Sequence, residues 1–188
     1  MSHNARPIIT DMLLGALAGV VAAWVMAQTT HYLYGHENKA AKEQEKVARR
    51  SNRASGSGAG SVPSMVEQGG VSGLSSGGSV AVEKVAGMVG QELSNEERKK
   101  LEIKLNLGLS MGAGAAYALL RHRVPAADWG HGLAFGALFW LLIDEVGNTV
   151  LGLTPPPDKF PWQSHRRGLA GHLMFGLVTE TVLELIDK

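Results

Sequence analysis

The chain has 188 residues, 45% of them hydrophobic, and a formal net charge of +1. Its basic residues flank apolar segments instead of forming one concentrated face, which argues against nucleic acid as a partner. No cysteine occurs in the sequence, so disulfides and thiolate metal sites are excluded as well. Long apolar segments alternate with a polar, Gly/Ser-rich stretch, and an average over the chain therefore conceals two unlike kinds of sequence.

The first apolar segment extends from about Ile8 to Tyr34 and carries no charge after Asp11. About 20 apolar residues at ~1.5 Å per residue cover the hydrocarbon core of a bilayer, which predicts a membrane-spanning helix. The segment continues without a small-residue cleavage site, so a retained helix is favoured over a signal peptide. Gly15 and Gly19 form a G-x-x-x-G pair, which predicts a face where another helix packs closely.

A highly charged segment, residues 36–53, follows the first span. It predicts either an extension of the first helix into water or a contact between its basic residues and anionic lipid, although interspersed glutamates weaken the second alternative. Gly and Ser dominate residues 54–78, which predicts a flexible loop. Residues 80–93 regain helical periodicity and predict a short amphipathic helix on the membrane or on the bundle.

A capping box marks the start of the next helix, with Ser94 as the N-cap and Glu97 three residues later. This helix leads into a second span from about Ile103 to Leu120. Gly108 and Gly112 repeat the G-x-x-x-G pattern within that span, and we expect them to take part in helix packing.

Two further spans complete the chain. The third extends from about His131 to Leu153 and is ended by Pro155, Pro156 and Pro157, because consecutive prolines cannot continue a helix. The fourth extends from about Gly168 to Ile186. We therefore expect a single all-α membrane domain, a bundle of about four transmembrane helices. Its expected contacts are the lipid bilayer and either a second copy or partner membrane helices.

Lysine and arginine residues near the span ends indicate the orientation of the bundle. The side that holds the long connection between the first two spans, and the pair Arg166-Arg167 before the fourth, is the richer in positive charge. The positive-inside rule therefore predicts that this connection is cytoplasmic and that both termini lie on the other side.

Ionisable residues lie in the third and fourth spans, where lipid is expected. Asp144 and Glu145 are adjacent in the third span, and His172 and Glu180 lie in the fourth. A charged side chain at mid-bilayer costs about 2.5–3.5 kcal/mol on insertion scales. No lysine or arginine lies inside the third or fourth span, which leaves protonation, pairing with His172, a bound cation or a water-filled crevice as compensation.

The third and fourth spans are joined by a short loop and are predicted to be antiparallel neighbours. The i, i+4 spacing places Asp144 and Asn148 on one face, and two such steps relate His172 and Glu180 on the facing helix. The sequence therefore predicts a polar seam of these four residues, with Glu145 beside it, nearer the cytoplasmic face.

The loop next to this seam contains Pro155, Pro156 and His165, and we expect His165 to cap the fourth helix or to cover the seam. The seam is compatible with a proton, cation or small-solute pathway, with hydrogen bonds that fix helix register in a structural or accessory subunit, or with a metal-dependent enzyme. Asp, Glu and His are suitable ligands for zinc or iron, but their spacing matches no strong ligand motif. The sequence assigns no catalytic residue and no cofactor, and an enzyme is the least favoured alternative.

Short motifs mark the last two spans: Asp144-Glu145, Gly152-Leu153-Thr154-Pro155-Pro156, Pro161-Trp162, Gly171-His172-Leu173 and Thr179-Glu180. With these motifs, residues 130–182 resemble the YagU-like family of bacterial inner-membrane proteins, a family of unknown function. The first helix, with its Gly/Ala strip, is similar to a lesser degree. The resemblance implies a bacterial inner-membrane location and four spans, and it carries no established activity, cofactor or catalytic residue.

Overall fold

The computed structural model describes residues 7–55, 78–90, 93–121, 123–124 and 129–188. Within these ranges the chain forms six helices and no strand. They are α1 (Ile8–Gly35), α2 (Lys39–Ser55), α3 (Gly78–Val89), α4 (Asn95–Leu120), α5 (Leu133–Val150) and α6 (Trp162–Ile186). The flexible loop predicted for residues 54–78 lies outside the described residues except at its two ends, which belong to α2 and α3.

Four of these helices, α1, α4, α5 and α6, are long and apolar enough to cross a membrane. The all-α, four-span bundle expected from the sequence is therefore confirmed. The capping box at the start of α4 is present, since Ser94 accepts from the backbone N–H of Glu97 and the Glu97 carboxylate accepts from that of Ser94. Helix α6 begins at Trp162, well before the predicted start at Gly168, because Pro161 precedes it in an extended conformation suited to an N-cap.

Helix α1 is the central element of the bundle. It packs against α4 on one side and against α6 on the other, while α5 packs on α6 and α3 packs on α4. The spans are therefore arranged in the order α4, α1, α6, α5. We call the end where α1 ends and α6 begins the α2 end, because α2 lies there.

Close backbone contact joins α1 to α4. A Cβ atom added at Gly15 or Gly19 would overlap the backbone of Gly114 or Ser110, so only glycine permits this crossing. Gly108 and Gly112, predicted for the same role, have nothing within 4 Å of an added Cβ and are exposed.

The reason for this difference is the helical repeat. Two residues correspond to about 200° around a helix, so Gly112 lies nearly opposite Ser110 and Gly114. The packing role within the chain therefore belongs to Gly114, and the pair Gly108 and Gly112 faces outward.

Helix α2 differs from the expected extension of the first helix into water. The chain turns after Gly35, and the side chain of Asn38 accepts a hydrogen bond from the backbone N–H of Ala41, an N-cap that starts a new helix. Helix α2 then lies against the bundle, with Ala41, Glu45 and Ala48 buried. The alternative, a contact between the basic residues of this segment and anionic lipid, is weakened as well, because Arg49 binds Glu45 within the chain.

An aromatic layer lies between the first half of α5 and the middle of α6. It consists of Phe135, Phe139 and Phe175, with ring centroids 5.9 Å apart for the first pair and 5.5 Å apart for Phe139 and Phe175. The ring of Tyr117 from α4 packs on Phe135 at 4.7 Å. This layer separates the polar side chains at the α2 end from those at the opposite end.

Candidate functional site

Asp144 and Glu145 lie in a π-helical segment of α5, Leu141–Gly147. In a π-helix each backbone N–H bonds to the carbonyl five residues earlier, and such segments occur frequently at functional sites. Asn148 makes such a bond to Ile143. A Cβ atom at Gly147 would lie only 2.6 Å from the carbonyl oxygen of Leu142, so glycine is needed where the segment ends. Within this segment the two adjacent carboxylates both reach α6.

Asp144 contacts one residue of its own helix and one of α6. The side-chain amide of Asn148 donates to Asp144 Oδ1 at 3.3 Å, and His172 Nδ1 lies 3.8 Å from Asp144 Oδ2. Three members of the predicted seam, Asp144, Asn148 and His172, therefore lie together.

His172 is fully buried, and its two ring nitrogens differ. Nδ1 lies 2.9 Å from the carbonyl oxygen of Gly168. Because a carbonyl only accepts, Nδ1 carries a proton, and in the neutral ring Nε2 is then a bare acceptor. Nε2 has no hydrogen-bond partner among the described residues.

Glycines allow α5 and α6 to approach closely beside Asp144 and His172. A Cβ atom added at Gly136 would overlap the backbone of His172. One added at Gly168 would lie 3.0 Å from Trp140 Nε1 and 3.5 Å from Asp144 Oδ2. These glycines therefore set the distance between the carboxylate and the imidazole.

Glu145 pairs with His165, which lies in the first turn of α6 and not in the loop where it was expected. His165 Nδ1 lies 2.7 Å from Glu145 Oε1, and Nε2 lies 3.0 Å from the carbonyl oxygen of Pro157. The carbonyl requires a proton on Nε2, so the bond to Glu145 requires a second proton, on Nδ1 or on the carboxyl. The pair therefore shares one proton and is neutral as a unit.

The loop prolines hold this arrangement in place. Pro155 is buried and its carbonyl oxygen lies 3.4 Å from the hydroxyl of Thr149. Pro156 precedes the short 3-10 turn Pro157–Lys159, which presents the carbonyl that His165 contacts. We call Asp144, Glu145, Asn148, His165 and His172 the α2-end polar site.

A second group of side chains, which the sequence did not indicate, adjoins this site. We call it the Glu45 cluster; its members are Glu37, Glu45, Arg49, Ser164 and Arg167. Arg167 binds Glu37 through Nη1 and Glu45 through Nη2, at 2.9 and 2.7 Å from the two carboxylate oxygens of Glu45. Arg49 and the hydroxyl of Ser164 also donate to Glu45.

Electrostatics hold Glu45 in its charged form. Burial raises the pKa of Glu45, but the charges and hydrogen bonds of Arg49 and Arg167 outweigh it and lower the pKa to about 2. Only the i, i+4 spacing of Glu45 and Arg49 was a signal in the sequence.

Glu180 does not belong to the α2-end polar site. It accepts a hydrogen bond from the Tyr117 hydroxyl at 2.6 Å, and Arg121 Nη1 lies 3.6 Å from the same oxygen. Arg121 also binds Asp187 at 2.7 Å. We call Tyr117, Arg121, Glu180 and Asp187 the Arg121 cluster.

The eight residues from His172 to Glu180 span about 12 Å along the helix, and the aromatic layer lies between them. The predicted seam is therefore shorter than expected. The compensations expected from the sequence did not include an arginine, but Arg121, which follows the last turn of α4 and lies outside the predicted spans, folds onto α6 and reaches Glu180.

Among the described residues, no group of three or more His, Asp or Glu side chains is arranged to hold a metal ion. No family model, no curated protein and no solved structure matches the chain. Fold and site together describe an all-α protein with four membrane-compatible helices and a polar site between two of them.

Proposed function

We propose that the protein is a multi-pass membrane protein that conducts protons, and that the α2-end polar site carries them. The observation on which this rests is the contact of His165 Nδ1 with Glu145 Oε1 at 2.7 Å, next to a second carboxylate, Asp144, that lies 3.8 Å from His172. Carboxylates and histidines in membrane spans commonly form proton relays.

The partners of the two carboxylates support a role in proton conduction. In the described part of the chain, the basic side chains within 4 Å of the Asp144 and Glu145 carboxylates are histidines. A lysine or arginine would hold a carboxylate permanently charged, whereas an imidazole exchanges its proton near neutral pH. The site is therefore suited to taking up and releasing protons.

The order of the groups suggests a route. Glu145 and His165 lie nearest the loop and receive the proton first. Asp144 lies beside Glu145 in the π-helical segment and takes the proton next. Beyond it His172 can accept a proton only at Nε2, because Nδ1 already donates to Gly168, and its ring contacts Phe139 edge-on at 5.2 Å. The aromatic layer is then the barrier that the proton crosses to reach the opposite end.

The location is also a proposal. We place the protein in a bacterial inner membrane with the α2 end in the cytoplasm. The excess of basic residues at that end supports the orientation. The resemblance to the YagU-like family supports the membrane.

The test is proton flux in proteoliposomes under an imposed potential, followed with a pH-sensitive dye. We expect Asp144→Asn to lower the flux at least about tenfold, since a positioned proton-transfer group typically contributes 10²-fold or more. The matched control is Glu184→Gln, a half-exposed carboxylate at the other end of α6 that pairs with His131. Equal flux in the parent and both variants would exclude the pathway.

A second candidate is a structural or accessory subunit that packs on a partner helix or on a second copy. The observation that favours it is the outward face of α4, where Gly108 and Gly112 leave room for another backbone. Gly112→Ile is expected to disrupt such an assembly, and the oligomeric state in detergent measures it. The same mass for parent and variant would reject this candidate.

A further inference from the structure

Helix α2 lies across the end of the bundle where the polar site is located. It is attached to α6 through Glu45, which binds Ser164 and Arg167, and to the loop before α6 through Arg49, whose guanidinium lies 5.4 Å from the ring of Phe160. The turn before α2 is attached as well, through Glu37 and Arg167.

The same two turns of α6 carry both the attachment and the polar site. Ser164 and Arg167 bind α2, whereas His165 binds Glu145. Gly168, next to Arg167, provides the carbonyl that orients His172. A movement of α2 away from α6 therefore acts on the two turns that carry the histidines and their partners.

Little apolar surface holds α2 in place. Among its described side chains, the buried apolar ones are Ala41 and Ala48. The attachment depends instead on buried ion pairs, whose mutual attraction is largely offset by the cost of removing both charges from water. Such an attachment is readily reversed, and it is broken when one partner is lost.

We propose that α2 is the gate of the α2-end polar site, and that Glu45 and Arg167 hold it closed. In the closed position α2 covers the first turns of α6 and restricts access of water to Glu145 and His165. When it lifts, the site exchanges protons with that side of the membrane. The proposal that α2 controls proton access rests on the proposed proton conduction. The proposal that α2 moves away from α6 does not.

The experiment uses the absence of cysteine from the chain. The Ala48→Cys variant carries one thiol on the buried face of α2, which is protected while the gate is closed. A water-soluble maleimide measures its accessibility in the full chain in liposomes. We expect Glu45→Gln in this background to raise the modification rate at least about tenfold, because a buried ion pair that has lost one partner is strongly destabilised.

Two further variants provide an intermediate case and a control. Arg167→Lys retains the charge without the paired hydrogen bonds and is expected to give an intermediate rate. Glu43→Gln changes an exposed carboxylate of the same helix, so the thiol is expected to remain protected. Unchanged protection in Glu45→Gln and Arg167→Lys would overturn the gate.

Proton flux in the same variants separates the two proposals. We expect Glu45→Gln to conduct faster than the parent. If Asp144→Asn removes the flux but Glu45→Gln leaves it unchanged, conduction stands and the gate is rejected. If the thiol becomes accessible in Glu45→Gln while no variant conducts, the movement of α2 stands, and both conduction and the gate's role in it are rejected.

Discussion

The two ends of the bundle differ in the partners of the carboxylates carried by the membrane-compatible helices. At one end, Glu180 and Asp187 are bound by the guanidinium of Arg121, a cation that does not lose its proton. At the α2 end, Asp144 and Glu145 are paired with His172 and His165. Both arrangements make burial tolerable, but only the second leaves a proton that can be exchanged. The kind of partner, more than the presence of a carboxylate in a span, distinguishes a functional site from a structural one.

The largest expected effect is at the structural end. Arg121→Leu leaves the buried carboxylate of Glu180 without its cation, and losing one partner of a buried ion pair costs about 3–5 kcal/mol. We expect a large fall in the free energy of unfolding, measured by denaturation in detergent. A change below about 1 kcal/mol, typical of a surface ion pair, would show that the Arg121 cluster is not structural.

The equivalent change at the α2 end is expected to have the opposite outcome, with little loss of stability and a large loss of proton flux. His165→Gln removes the shared proton but keeps a polar side chain, and a lost hydrogen bond costs only about 0.5–1.5 kcal/mol. We expect a well-folded protein whose proton flux falls at least about tenfold, as for other positioned proton-transfer groups. Full flux in this variant would separate Glu145 and His165 from the pathway.

A smaller effect is expected from the backbone that carries the carboxylates. Gly147→Ala places a Cβ 2.6 Å from the carbonyl oxygen of Leu142 and disfavours the π-helical segment. We expect lower flux, because Asp144 and Asn148 lose their alignment. Gly108→Ala is the matched control, since nothing lies within 4 Å of a Cβ at that position. Equal flux in both variants would remove the π-helical segment from the mechanism.

The last comparison concerns the pH dependence of stability at the α2 end. The pKa of Glu45 is lowered from its ordinary value of 4.5 to about 2 in the folded chain, so the charged form stabilises the fold. This contribution is complete above the unfolded pKa and is lost as pH falls through the folded one. We expect the difference in melting temperature between the parent and Glu45→Gln to be constant from pH 8 to about pH 5 and to narrow toward pH 2. A difference that grows on acidification would contradict the charged state of Glu45.

The sequence was sufficient to predict the four spans, because the length of an apolar run can be read locally and a bilayer requires a minimum length of apolar helix. It was also sufficient to bring Asp144 near His172, since a short loop forces neighbouring antiparallel helices. The prediction that Glu180 lies with them was wrong. It rested on the helical repeat alone, and the repeat shows which face of a helix a residue lies on but not which residues of the other helices it meets.

Contacts between distant segments explain the remaining differences. The position of α2 depends on Glu45 and Arg167, which are 122 residues apart in the chain. Arg121 lies outside the apolar run, and only the fold shows that it returns to Glu180. In the same way, the choice of Gly114 over Gly112 depends on which side of α4 meets α1.

One measurement compares the two ends directly: proton flux for the same substitution at each. Glu145→Gln changes the carboxylate that shares a proton with His165, and Glu180→Gln changes the one bound by Tyr117 and Arg121. We expect Glu145→Gln to abolish the flux, and Glu180→Gln to retain it per folded molecule while lowering the melting temperature. Loss of flux in Glu180→Gln, with full flux in Glu145→Gln, would contradict the assignment of function to the α2 end.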